Sequence, residues 1–142
     1  MKKCILTLTA LLLSVSLYPQ TYKVTLHITG IVPDAGTIQV SIHDSEKSFS
    51  SHIPYKILEI PPAHQTADQT ADFCIELPAG EYAFCIYQDI NNDGRLNTNM
   101  IGIPKEPFGF SNYNGKSVPG NFNRHKVSIQ ASCVITVPLV KI

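Results

Sequence analysis

The feature that most constrains this chain is a two-residue alternation of apolar and polar side chains. Residues 22–29, YKVTLHIT, put Val24, Leu26 and Ile28 on one side and Lys23, Thr25 and His27 on the other, the pattern of a strand with one face in a core and one in water. Residues 36–43 repeat it, with Ile38, Val40 and Ile42 opposed to Gln39, Ser41 and His43. A helix would scatter either set around its circumference. Further strands are predicted at 55–60 (YKILEI), 72–77 (DFCIEL), 82–89 (YAFCIYQD), 123–129 (NRHKVSI) and 133–140 (CVITVPLV). Pro138 has no amide donor and marks an edge position or a strand end. One helical turn is predicted from Asp44-Ser45 through Phe49, because short oxygen-bearing side chains accept bonds from the free amides of a helix start. Seven strands separated by turn signals predict an all-β fold, an antiparallel β-sandwich of the immunoglobulin or transthyretin kind.

The 142 residues fit one domain. Lys2 and Lys3 precede an apolar run from Cys4 to Leu17, so residues 1–20 are predicted to be a secretory signal peptide and residues 21–142 the single sandwich domain. The protein is then exported, to the periplasm or the cell exterior. No other apolar run is long enough for a transmembrane segment once the leader is cleaved. Without Lys2 and Lys3 the chain keeps nine basic and eleven acidic residues, a formal charge of about −2. With no basic block, the composition argues against nucleic acid and against electrostatic docking on anionic lipid. The repeated tetrapeptide in QTADQTAD, residues 65–72, holds nothing more apolar than alanine and is predicted to be a surface loop.

Cys74, Cys85 and Cys133 remain after cleavage, and three cysteines cannot all pair. Two arrangements of CIELPAGEYAFC fit the sequence. A tight hairpin with Leu77 opposite Tyr82 sets Cys74 against Cys85. A tyrosine corner, in which Tyr82 folds its hydroxyl onto the backbone upstream while the chain passes between sheets, points the two cysteines outward from different sheets.

From 90 to 121 no strand pattern is sustained, yet the segment holds five of the eight glycines. Loops of this length in a compact domain usually serve function, and Leu96, Met100, Ile101, Ile103, Phe108, Phe110 and Tyr113 predict that it packs on one end of the sandwich. Its start, DINNDGRLN, follows the spacing of a calcium loop: Asp89, Asn91, Asp93, the Arg95 carbonyl and Asn97 supply hard oxygens, and Gly94 allows the sharp turn. The twelfth position is Met100 where a bidentate glutamate belongs, so calcium would be the one cofactor and its affinity weak, on the order of 10⁻⁴ to 10⁻³ M, unless Glu106 folds back. The other reading of the row is a stack of Asx-turns. Downstream, Lys105, Glu106, Phe108, Phe110, Asn112 and Tyr113 form a candidate ligand-binding set, aromatic rings beside polar groups suited to a glycan or to an apolar side chain of a partner protein. The alternative is that Phe108 and Phe110 plug the sandwich end.

The stretch LPAGEYAFCIYQDINNDGRLNTNMIGIPKEPFGFSN, from Leu77 to Asn112, resembles the signature of domain of unknown function 2141, a family of secreted bacterial proteins. The resemblance implies a small exported β-sandwich of unassigned activity. The family often carries histidine where Gln88 stands and aspartate where Asn97 stands, so this copy has one anionic ligand fewer.

A non-enzymatic binding or accessory module is therefore the leading expectation. A hydrolase using His27, His43, His52, His64 or His125 is a weaker one, since neither a G-x-S-x-G elbow nor an H-E-x-x-H pair occurs. The chain also lacks the C-terminal Tyr-Arg-Gly-Ser motif of the transthyretin-like ureide hydrolases. A third expectation is a subunit of a surface assembly that recruits a neighbour through 133–140.

Overall fold

The computed structural model describes residues 18–62 and 66–142. The expected leader falls almost wholly on residues outside these, as do Cys4 and His64. Among the described residues the elements in chain order are β1 (Thr21–Thr29), β2 (Thr37–His43), α1 (Glu46–Ser50), β3 (Lys56–Ile60), β4 (Thr70–Pro78), β5 (Gly80–Asp89), β6 (Phe108–Phe110), α2 (Phe122–His125), β7 (Val127–Ile129) and β8 (Cys133–Pro138).

The strands form two sheets, one ordered β4-β1-β8 and the other β3-β2-β5-β6, with β7 paired to the start of β5. Val24, Leu26 and Ile28 from the first sheet and Ile38, Val40, Ile42, Phe84 and Ile86 from the second are buried in one core between them. The all-β sandwich that the alternation predicts is the fold of the chain. Pairing is antiparallel except between β1 and β8, which run parallel with Val24 beside Cys133. Beyond Pro138 the chain crosses to the other sheet: Leu139 donates to the Thr29 carbonyl at 2.8 Å, and Val140 and Phe108 exchange backbone bonds of 2.8 and 3.0 Å. The C-terminal segment thus ties the edges of the two sheets together.

Four sequence expectations are corrected. Among the described residues there are eight strands, because the three residues of β6 are too few to display alternation. Residues 123–129 split into α2 and β7, since the Asn121 side chain caps a helical turn by accepting from the Arg124 amide at 3.3 Å. The last three residues of QTADQTAD, Thr70 to Asp72, belong to β4, where Ala71 is fully buried. The hairpin register that sets Cys74 against Cys85 fails, because β4 and β5 lie in different sheets. Tyr82 instead donates its hydroxyl to the Pro78 carbonyl at 3.1 Å, the tyrosine-corner arrangement. Cys74, Cys85 and Cys133 are all free thiols. The predicted helical turn is present as α1, with the Ser45 hydroxyl accepting from the Ser48 amide.

Candidate functional site

The long loop leaves β5 through a stack of side-chain-to-backbone bonds. Asp89, 1% exposed, accepts from the Asp93 amide through one carboxylate oxygen (3.1 Å) and from the Gly94 amide through the other (2.7 Å). Asp93 in turn accepts from the Arg95 amide at 2.9 Å and from the Asn97 and Asn91 side-chain amides at 2.8 and 3.1 Å. Those bonds favour the charged form and hold the Asp93 carboxyl below its ordinary value. Asn92 and Gly94 adopt φ of +54° and +76°, the left-handed backbone that lets successive side chains turn inward. The five residues of the expected calcium row are thus together, and the side-chain oxygens of Asp89, Asn91 and Asp93 are engaged by the loop's own amides. Among the described residues no three His, Cys, Asp or Glu side chains gather where they could hold one metal ion.

Glu106 does fold back, but onto backbone. Its carboxylate accepts from the Ile90 amide at 2.9 Å and the Asn97 amide at 3.0 Å, with 5% of the residue exposed. One buried side chain therefore clamps both ends of the acidic turn. Beyond it, residues 97–105 form a small hairpin in which Lys105 donates to the Asn97 carbonyl and Thr98 pairs with Pro104.

The outer face of the five-stranded sheet carries the site. Phe108 and Phe110, two residues apart on β6, point to that face and meet Tyr113, with ring centroids 5.5 to 6.2 Å apart. Together with Leu96, Ile103, Pro104, Val118 and Pro119 they line a cleft of about 650 Å³, with Lys116 and Ser117 at its wall. A second hollow of about 440 Å³ shares Leu96, Phe110 and Pro119 with the first and runs over Ser41, Cys85 and Tyr87 towards His43, Phe49, His52 and Pro54. The two hollows form one groove along the outer face. By contrast, Lys105 and Glu106 border a separate polar hollow with Asn97, Thr98 and Lys141. Asn112 spends its amide on the Lys126 carbonyl at 2.8 Å. Of the six expected ligand-binding residues, the three aromatics converge on the cleft, Lys105 and Glu106 share the polar hollow away from it, and Asn112 borders another beside Tyr113.

Behind the groove lies His125, fully buried and stacked on Phe110 with centroids 4.8 Å apart. Gly120 donates its amide to Nε2 at 3.0 Å, so Nδ1 carries the proton and donates to the Ser111 carbonyl, also at 3.0 Å. Burial lowers the pKa of this ring and of His43, whose Nδ1 bonds the Ser48 hydroxyl at 2.9 Å. Burial pushes the Cys85 thiol up to about 12. His27 lies on the far sheet, paired with Asp72 at 2.6 Å.

The family model of an uncharacterized protein conserved in bacteria, DUF2141, matches residues 26–136. The chain belongs to the DUF2141 family. No curated protein and no solved structure matches it. Gln88 and Asn97, where the resemblance implies histidine and aspartate, have different settings in this DUF2141 chain. Gln88 is fully buried and grips the 30–36 turn, its amide oxygen accepting from the Val32 amide and its nitrogen donating to the Val32 carbonyl, both at 2.7 Å. Asn97 donates to Asp93, a bond that an aspartate there could not make.

The groove walls at Leu96, Ile103, Val118 and Pro119 escape motif reasoning because they share no pattern. Their signal is only an excess of apolar residues in a loop framed by glycine and proline. Among the described residues no helix is long and apolar enough to cross a membrane.

Proposed function

We propose that this protein is an exported, non-enzymatic binding module, and that its recognition surface is the apolar groove roofed by residues 96–119. The single observation that carries this reading is the cleft of about 650 Å³ walled by Phe108, Phe110 and Tyr113, within the range of about 300–1,000 Å³ usual for ligand sites. Its lining supports an apolar or aromatic group over a glycan: Phe108 and Tyr113 are 5% and 7% exposed, which leaves the half-buried Phe110 as the one ring of the three with a face to offer, among mainly apolar side chains. A flexible apolar side chain of a partner protein, or a small apolar molecule, suits the space better.

The non-enzymatic part of the reading draws support from the groups nearby. A thiol at about 12 is a poor nucleophile, and His125 spends both ring nitrogens on backbone groups. Export is supported by Lys2, Lys3 and the apolar run after them.

Titration with the fluorescent probe 1-anilinonaphthalene-8-sulfonate tests the groove. Saturable binding to the native protein is expected, and Leu96→Trp, which fills the junction of the two hollows, should weaken it about tenfold or more at an unchanged melting temperature. Equal binding by the folded variant would overturn the assignment.

A further inference from the structure

The turn at Asn99–Gly102 is closed by hydrogen bonds, yet its tip is apolar. Asn99 bonds Ile103 and Gly102 through its backbone, at 2.8 and 3.0 Å, and its side-chain oxygen accepts from the Ile101 and Ile103 amides at 3.0 and 2.9 Å. Gly102 completes the turn at φ +81°. On this braced tip Met100 and Ile101 are 104% and 78% exposed. Turn tips are ordinarily polar, and these two side chains gain nothing from the fold, since neither lines the groove.

The exposed charged side chains that border the two hollows beside the hairpin are all basic. From Gly94 to Ile142 the chain carries Arg95, Lys105, Lys116, Arg124, Lys126 and Lys141, and its one acidic residue there, Glu106, is buried on backbone amides. Among the described residues Lys126 of these six is salt-bridged, to Glu81, and Arg95 acts on the Asp93 carboxylate. Lys105 and Lys141 border the hollow at the base of the hairpin beside Thr98, and Lys116 borders the cleft beside Gly102 and Ile103. Asp93, the exposed carboxylate of the preceding turn, accepts from the Arg95 backbone amide and the Asn97 side chain and keeps its negative charge. The chain's overall charge, which argues against lipid docking, averages over two segments of opposite sign.

A convex apolar tip with a cationic collar is the shape that enters a fluid anionic interface. A nucleic acid would use the lysines and leave Met100 and Ile101 idle, and an acidic protein would need a matching pocket for them. We propose that the 97–105 hairpin docks this protein on a bilayer bearing anionic phospholipid. Met100 and Ile101 enter the boundary between headgroups and acyl chains, and Lys105, Lys116 and Lys141 meet the headgroups. The Met100–Ile101 tip lies outside the groove, whose wall shares Gly102, Ile103, Pro104 and Lys116 with the hairpin and its collar, and its insertion does not depend on what the groove binds.

Co-sedimentation with vesicles tests it, using phosphatidylcholine alone and phosphatidylcholine with about one-third phosphatidylglycerol, at about 50 and about 300 mM salt. Binding is expected to the anionic vesicles and to weaken with salt. The double variant Met100→Ser/Ile101→Ser should lower vesicle affinity about tenfold or more at an unchanged melting temperature, and Lys105→Ala or Lys116→Ala about fivefold each. Leu96→Trp should bind vesicles as the native protein does, which separates this surface from the groove. No preference for anionic vesicles would overturn the proposal. So would full vesicle binding by the double serine variant, or equal salt-sensitive binding of both proteins to duplex DNA, since either makes the apolar tip irrelevant.

Discussion

Glu106 is a buried carboxylate whose two oxygens each face a backbone amide, from Ile90 and from Asn97. Replacing it with glutamine keeps the shape but turns one oxygen into a second donor pointed at an N–H. Glu106→Gln should therefore lower stability by about 1.5–3 kcal/mol, read as a lower urea midpoint. Calcium at about 10 mM should leave the native melting temperature unchanged, because an ion would have to displace bonds that Asp89 and Asp93 already make; a clear rise would restore the metal reading of the loop. The histidines give a second handle. His43 and His125 both sit below the ordinary value of 6.5 because burial penalises the charged ring. A histidine kept neutral by folding binds fewer protons than in the unfolded chain once pH falls below about 6.5, so its stability contribution is complete above that pH and is lost on acidification. The melting temperature should be flat from about pH 7 to 8 and fall from about 6.5 to 5. His125→Asn should be less stable at neutral pH but show a shallower fall. Asp93, whose carboxyl is lowered, loses its contribution only below the ordinary carboxylate value of 3.8, outside that window.

At the scale of elements, the Pro78–Tyr82 corner decides which sheet β5 enters. The Tyr82 ring packs against Gly80, where a Cβ would lie 3.2 Å from it, and its hydroxyl holds the Pro78 carbonyl. Tyr82→Phe should cost about 1 kcal/mol, with the urea midpoint lowered and the slope unchanged. The motif LPAGEY made this corner readable, as alternation did for β1, β2, β5 and most of β4 and β8. What escaped reading was made by tertiary pairing. Phe108-Gly109-Phe110 is a strand only because β5 offers a free edge, and Gly109 is required because a Cβ would meet the Pro138 carbonyl at 2.4 Å. Likewise the first amide of α2 is satisfied by Glu46, distant in sequence, at 3.2 Å. In the candidate site the aromatic residues were legible as a set, whereas the part played by Glu106 as a clamp depended on where a neighbouring loop came to rest.

At the scale of the molecule, the segment from Cys133 onward joins the two sheets that the remaining strands build. β8 extends the first sheet beside β1, and Val140 then pairs with Phe108 in the second. Its Ile135, Val137 and Leu139 are buried in the core. At about 1.5–3 kcal/mol for each side chain, their removal is comparable with the whole stability of an ordinary domain, about 5–15 kcal/mol. Deleting 133–142 should therefore abolish the cooperative melting transition. The milder Leu139→Ala should remain folded and lose about 2–5 kcal/mol. The same variant bears on function, because Leu139 lies one residue from the bond that holds Phe108, and Phe108 walls the cleft. If the C-terminal segment braces the groove as well as the core, Leu139→Ala should weaken probe binding under conditions where it is still fully folded, whereas an equally destabilising Val24→Ala in β1 should leave probe binding intact. Equal effects of the two on binding would mean that the groove depends on global stability alone.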